Sequence, residues 1–276
     1  MLNTLITLHP VASWIILGIG SLFIGSFLNV VIYRLPLMIE TDWKTQCRQL
    51  LQLPNVPSPK PINLCLPRSH CPSCNQLIPA WHNIPLLSYM ILRGQCHACH
   101  HRISWRYPVV ELLCLGLSLL AGYCFGFHLS LVFALLFIGL LLCLSCIDLQ
   151  HQLLPDGLTL GLLWLGLLAN TQTLFTTLPD AVWSAAGAYL GLWLFIKIFY
   201  LLTGKIGMGN GDFKLFAALG AWFGWNSLLP ILLGSSILGS VIGLSYLGLT
   251  GKTKETPIPF GPFLCIAGYG YLLFWY

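Results

Sequence analysis

The amino-acid sequence predicts an all-α polytopic membrane protein with about eight transmembrane helices and one loop domain inserted after the first helix. Three observations lead there. Of 276 residues, 57% are hydrophobic and 8% are charged, whereas ordinary soluble domains carry about 25% charged residues. Apolar runs close to the ~20 residues needed to cross a bilayer lie near 11–33, 108–126, 129–147, 157–175, 181–203 and 227–249, with shorter ones near 213–226 and 257–275. The one long interruption, 34–107, holds prolines, histidines and two cysteine pairs.

Threading the runs alternately puts residues 34–107, 148–156, 204–212 and 250–256 on one side of the membrane. All 13 Lys and Arg lie on that side or within a few turns of it. Cytosolic connections collect Lys and Arg, so this side is expected to be cytosolic and both termini to face outward. The formal charge of +5 then describes a surface suited to anionic lipid and excludes a nucleic-acid binder. Met1 to Pro10 carries no Lys or Arg and no small-x-small site follows the first run, so that run is expected to be a retained helix.

Taken in order, the first helix places Gly25, Asn29 and Tyr33 on one face, since residues four apart share a side. That face is expected to pack against another helix, with Arg34 snorkelling to the interface; Asn29 lining a polar cleft is the alternative. Pro36 is expected to end the helix, and Leu37 to Pro67 to run irregularly over the membrane surface.

Cys71-Pro72-Ser73-Cys74 and Cys96-His97-Ala98-Cys99 follow. Two such knuckles fit a four-thiolate tetrahedral Zn2+ site, closed to water and therefore structural. Redox disulfides would need the oxidising face, and the charge bias puts this loop in the reducing cytosol. His70, His97, His100 and His101 crowd the knuckles and are expected to be surface histidines. The other cysteines, such as Cys143, Cys146 and Cys265, read as small apolar residues. Pro108 and Glu111 suit the first turn of the returning helix; Glu111 serving a polar pocket with Arg106 or Asn29 is the other reading.

Asp148 closes the third apolar run, where the helix dipole disfavours a negative charge. Asp156 directly precedes the next run and is expected to be an N-cap; Asp180 is expected to cap on the outward side. The glycine turn Gly207-Met208-Gly209-Asn210-Gly211-Asp212-Phe213-Lys214 then delivers Asp212 to a helix start, where the dipole favours its charge. Its glycines permit unusual φ values or close backbone approaches. Two carboxylates in opposed fields suit acid–base hydrolysis, one protonated to polarise a carbonyl and one ionised to activate water. No Gly-x4-Gly-Lys-Ser/Thr pattern supports phosphate binding. Ile258-Pro259-Phe260-Gly261-Pro262 reads as a broken helix entry that could wall a site.

These motifs together resemble bacterial type IV prepilin peptidases, including those of type II secretion. The resemblance spans nearly the whole chain and rests on Gly25 through Pro36, the cysteine knuckles, Asp148 through Asp156, Gly209 through Lys214, and Ile258 through Pro262. It implies a bacterial inner-membrane aspartic endopeptidase of the Gly-x-Gly-Asp class. Asp148 and Asp212 would be its catalytic pair, supported by Gly209, Gly211, Lys214 and Asp156. Such enzymes remove a short basic leader from prepilins and pseudopilins after a glycine. Many then methylate the new N-terminal residue, usually Phe, with S-adenosylmethionine, and the cysteine-bearing loop is typical of these bifunctional members. No strand–Gly-x-Gly-x-x-Gly–helix unit is present to hold the methyl donor, and Arg93, Gly94 and Glu111 are the candidates for its pocket. The expected organisation is a first transmembrane helix over 1–33, a cytosolic zinc loop over 34–107 and a protease core over 108–276. A transporter using the two aspartates as ion sites, or a thiol–quinone oxidoreductase using the four cysteines, is the rival class.

Overall fold

The computed structural model describes residues 10–53, 63–204, 208–250 and 259–275. Among these the named elements are helical: α1 (Pro10–Leu50), α2 (Leu87–Ile91), α3 (Arg106–Phe125), α4 (Leu129–His151), α5 (Asp156–Asn170), α6 (Leu178–Thr203), α7 (Asn210–Phe223), α8 (Trp225–Thr250) and α9 (Gly261–Gly270). Lipid leaves no water to satisfy backbone polar groups, and helices satisfy them internally. Five helices are long and apolar enough to cross a membrane: Val11–Leu50, Arg106–Phe125, Leu129–His151, Leu178–Thr203 and Trp225–Tyr246. The apolar run near 213–226 becomes α7, whose 14 residues extend about 21 Å, short of the ~30 Å hydrocarbon core. Pro54, Pro57, Pro59, Lys60, Pro61, Lys205, Gly207, Lys252, Lys254 and Ile258 lie outside the described residues.

The chain divides into two compact units, Met1–Gly122 and Tyr123–Tyr276. In the first, α1 and α3 pack antiparallel along small residues. A Cβ on Gly25 would lie 3.0 Å from the Glu111 Cα, and one on Gly122 would lie 2.6 Å from Leu17 Cδ2. Small side chains let helix backbones approach this closely. Asn29 is buried and donates its Nδ2 to the Tyr107 carbonyl at 3.1 Å.

Two expectations for this unit are corrected. Pro36 does not end α1, which continues to Leu50, so residues 37–50 are helix and not an irregular excursion. An internal proline costs about 3 kcal/mol, and the helix nonetheless continues for fourteen residues beyond it. Thr41 and Thr45 bond back to the carbonyls of Leu37 and Thr41, and Lys44 lies 3.5 Å from Glu40 one turn away. Arg34 does not snorkel. It is buried, and its guanidinium donates to the carbonyls of Asn63 at 2.9 Å, Leu64 at 3.3 Å and Pro67 at 2.6 Å.

The second unit is built around α7, which is buried along nearly its whole length. Trp222 is fully buried and donates Nε1 to the Leu162 carbonyl at 2.8 Å. It fills space that only a glycine leaves open: a Cβ on Gly166 would sit 2.5 Å from the indole. Asn170 locks the end of α5 to the end of α7, donating to Ala221 and Trp222 carbonyls and accepting from the Phe175 and Thr176 amides. Ser184 ties α6 to the Gly220 carbonyl at 2.8 Å.

Asp156 is not an N-cap. Pro155 holds that position and Asp156 is the first residue of α5. Asp180 accepts from the Trp225 amide, the first residue of α8, and from Thr176 Oγ1.

Candidate active site and metal centre

Asp148 lies in the last turn of α4 and Asp212 in the first turn of α7, both buried. The two are near enough that the charge of Asp148 acts on Asp212. Asp148 accepts the Gly261 amide at 3.1 Å through Oδ2, while Oδ1 of Asp212 is buried without a protein partner among the described residues. Leu154 packs against a glycine next to each of them. A Cβ on Gly211 would lie 2.8 Å from the Leu154 Cβ, and one on Gly261 would lie 3.3 Å from Leu154 Cδ2.

Neither described glycine of the turn adopts an unusual dihedral, and only one of them is demanded by space. Gly209 is extended at φ −77° and Gly211 is helical. Gly211 is required by the close approach of Leu154, whereas a Cβ on Gly209 would be in ordinary contact, 3.5 Å from Asp212 Oδ2. Lys214, two residues beyond Asp212, forms a 2.6 Å ion pair with Asp156 that joins the first turns of α7 and α5.

Asp212 departs from the expectation that its helix dipole would ease ionisation. Burial, followed by the charge of Asp148, raises it from 3.8 to about 7, against a hydrogen bond with the Gly209 backbone. Desolvation disfavours a carboxylate more strongly than a dipole end favours it.

The cysteine knuckles fold as two copies of one turn. The Asn75 amide bonds to the Cys71 carbonyl at 2.9 Å and the His100 amide to the Cys96 carbonyl at 3.0 Å. Asn75 and His100 both adopt left-handed backbone, at φ 57° and 55°. Each turn is closed by an antiparallel bridge, His70 with Leu77 and Gln95 with Arg102. The Sγ atoms of Cys71, Cys74, Cys96 and Cys99 all lie within 4.8 Å of one another, a group that could hold a metal ion. The Cys71–Cys99 sulfur distance is 3.7 Å, and four sulfurs at ~2.3 Å from a tetrahedral centre would be about 3.8 Å apart. The backbone amides of Cys74 and Ser73 bring Cys71 down to about 6, whereas, against a hydrogen bond with the His101 backbone, burial and the neighbouring thiols push Cys99 up to about 12. His97 packs against the His82 ring, and His70 Nδ1 lies 3.0 Å from the Arg68 carbonyl.

Comparison with known proteins assigns both units. Residues 19–125 match the family model of the bacterial peptidase A24 N-terminal domain, and residues 135–244 match that of the type IV leader peptidase family. A prepilin leader peptidase/N-methyltransferase of Legionella pneumophila is 56% identical over 97% of this chain and 93% of that protein. Proteins of the same description from Stutzerimonas stutzeri and Pseudomonas aeruginosa are 50% and 48% identical, each over 96% of this chain and 92% and 91% of their own. The chain belongs to the type IV leader peptidase family. No solved structure matches it.

In this leader peptidase the stretch matched to the family covers Asp148, Asp156, Asp212 and Lys214, but Gly261 falls beyond it. Gly261 contacts Asp148 directly, and Cys265, fully buried one turn on, lies within electrostatic reach of both aspartates. The proline–glycine entry signalled a wall; its contact with Asp148 is a tertiary fact. Of the candidates for a cofactor pocket, Glu111 accepts the Leu86 amide at 2.9 Å. Arg93 and Gly94 adopt left-handed backbone, at φ 50° and 69°, just after α2. Glu111 therefore fixes the start of α2.

Proposed function

We propose that this leader peptidase cleaves the short basic leader from type IV prepilins and type II secretion pseudopilins after glycine. It then N-methylates the new N-terminal residue, usually Phe, with S-adenosylmethionine. Relatives described as prepilin leader peptidase/N-methyltransferase, aligned along more than nine-tenths of both chains, support both activities. The observation that carries the peptidase site is the buried, electrostatically linked pair Asp148 and Asp212.

Acid–base hydrolysis by such a pair uses one protonated and one ionised carboxylate. The protonated one donates a hydrogen bond to the scissile carbonyl oxygen, and the ionised one takes a proton from the attacking water. The water oxygen bonds to the carbonyl carbon, the C–N bond breaks, and the acid's proton passes to the leaving amine. Gly261 holds Asp148 through Oδ2, and Gly211 lets Leu154 approach the first turn of α7. Gly209 and the Lys214–Asp156 ion pair set the first turn of α7.

Cys71, Cys74, Cys96 and Cys99 would hold Zn2+; a set of four thiolates leaves no open position, so its role is to fix the loop. S-adenosylmethionine supplies the methyl group when bound. Arg93, exposed in the same unit, has the planar guanidinium that suits a carboxylate of the donor; Gly94 beside it is buried against the Tyr89 ring, and Glu111 fixes the turn before them.

The reading places the protein in the bacterial inner membrane with about eight spans, a first segment over 1–33, a cytosolic loop over 34–107 and a protease core over 108–276. Both termini would be periplasmic, and prepilin and lipid are its partners. Five span-length helices and the one-sided Lys and Arg support this arrangement. The test is prepilin cleavage in liposomes by the unmodified enzyme, Asp148→Asn and Asp212→Asn. Both variants are expected to lose cleavage while keeping zinc, and full activity in either removes that residue from the pair.

A further inference from the structure

The described carboxylates of the second unit sort to two ends. α5 and α7 run parallel, because Lys214 meets Asp156 at their first turns while Asn170 meets Ala221 and Trp222 at their last. Asp148 and Asp212 belong to the first end. Asp180 belongs to the other, about 20 Å away along α5, and its Oδ2 is occupied by Thr176 Oγ1 and the Trp225 amide. Asp148 and Asp212 are buried, and the side chain of Asp156 is 62% exposed. Asp156 is thus the exposed described carboxylate of this unit at the end that holds the pair.

Its position and its unused bonding capacity are both specific. Leu154, two residues before it, lies against Gly211 and Gly261, the first adjoining Asp212 and the second bonded to Asp148. Its Oδ1 accepts from Lys214 at 2.6 Å, and Oδ2 has no hydrogen bond among the described residues. A carboxylate has about four lone-pair sites, so a second cation can bind beside Lys214 without displacing it.

We propose that Asp156 is the docking carboxylate for a Lys or Arg side chain of the leader, holding it at the rim of the Asp148–Asp212 pair. The proposal rests on the peptidase reading above and adds a residue that selects leaders by charge. Lys214 pairs with one oxygen of Asp156 and leaves the second to receive the substrate cation. Because the contact is exposed, its contribution is a preference and not a switch.

The test uses the full chain in liposomes and two prepilins, one with its basic leader and one with the leader's Lys and Arg replaced by Gln. The reading is the ratio of kcat/KM for the basic leader to that for the neutral one. Asp156→Asn is expected to lower this ratio about two- to fivefold, the range of an exposed ion pair, through KM for the basic leader. Asp156→Lys is expected to favour a third substrate whose leader carries Glu. Lys214→Met, which breaks the ion pair but keeps the carboxylate, is expected to retain the preference. If Asp156→Asn slows both leaders equally, or Lys214→Met removes the preference as Asp156→Asn does, the ion pair is structural and the proposal falls. Failure of the unmodified enzyme to cut either prepilin would instead overturn the peptidase reading itself.

Discussion

The Gly261 amide donates to Oδ2 of Asp148 at 3.1 Å, and a Cβ added to Gly261 would lie 2.6 Å from that same oxygen. Residue 261 is therefore both the hydrogen-bond donor that holds the carboxylate and the limit on how closely the chain can approach it. Gly261→Ala must push Asp148 or the start of α9 aside. A displacement near 1 Å at a reacting group can cost about 100-fold, and a kcat loss of that order is expected in the prepilin assay. Gly161→Ala, at a position with nothing within 4 Å of the added carbon, controls for helical glycine replacement. Equal kcat in the Gly261 and Gly161 variants would show that Asp148 tolerates displacement.

The charge state of Asp212 gives a stability prediction. Its carboxyl rises from 3.8 to about 7 on folding, chiefly by burial and then by the Asp148 charge. The folded protein thus keeps a proton that the unfolded chain releases. The stability from this group is fully present below 3.8 and is lost as pH rises through about 7. Asp212→Asn cannot ionise. It is expected to raise the melting temperature of the detergent-solubilised protein more at about pH 8 than at about pH 5. The same change at both would mean that Asp212 ionises equally well folded and unfolded.

Arg34 holds residues 63–67 to α1 through three carbonyls, with the Pro67 bond at 2.6 Å. Lys has one ammonium point and cannot reproduce the guanidinium fork. Hydrogen bonds to a charged group contribute about 1.5–3 kcal/mol each. Arg34→Lys is accordingly expected to speed hydrogen exchange at Cys65 and Leu66, whose amides bond to the Asn63 side chain. Unchanged exchange there would show that the segment is held by other contacts.

The membrane class, the cysteine knuckles and the two acids were legible in the sequence because each is a local property. Partition into lipid depends on the composition of one run, and a metal knuckle is closed by four neighbouring residues, as Cys71–Cys74 and Cys96–Cys99 are. Asp148 and Asp212 stood out because an acid beside an apolar run is costly wherever the chain goes.

Tertiary structure decided what depends on neighbours distant in the chain. Pro36 reads locally as a stop, yet α1 continues to Leu50. The dipole at the start of α7 reads as an aid to ionising Asp212, yet packing around that turn removes water and reverses the balance. Gly261 and Asp148 are 113 residues apart, and no periodicity links them. Sequence alone determined which residues are suited to lipid, metal and acid–base chemistry. Burial and close approach determined how they act, because desolvation and steric fit are set by every atom packed around a site, whatever its place in the chain.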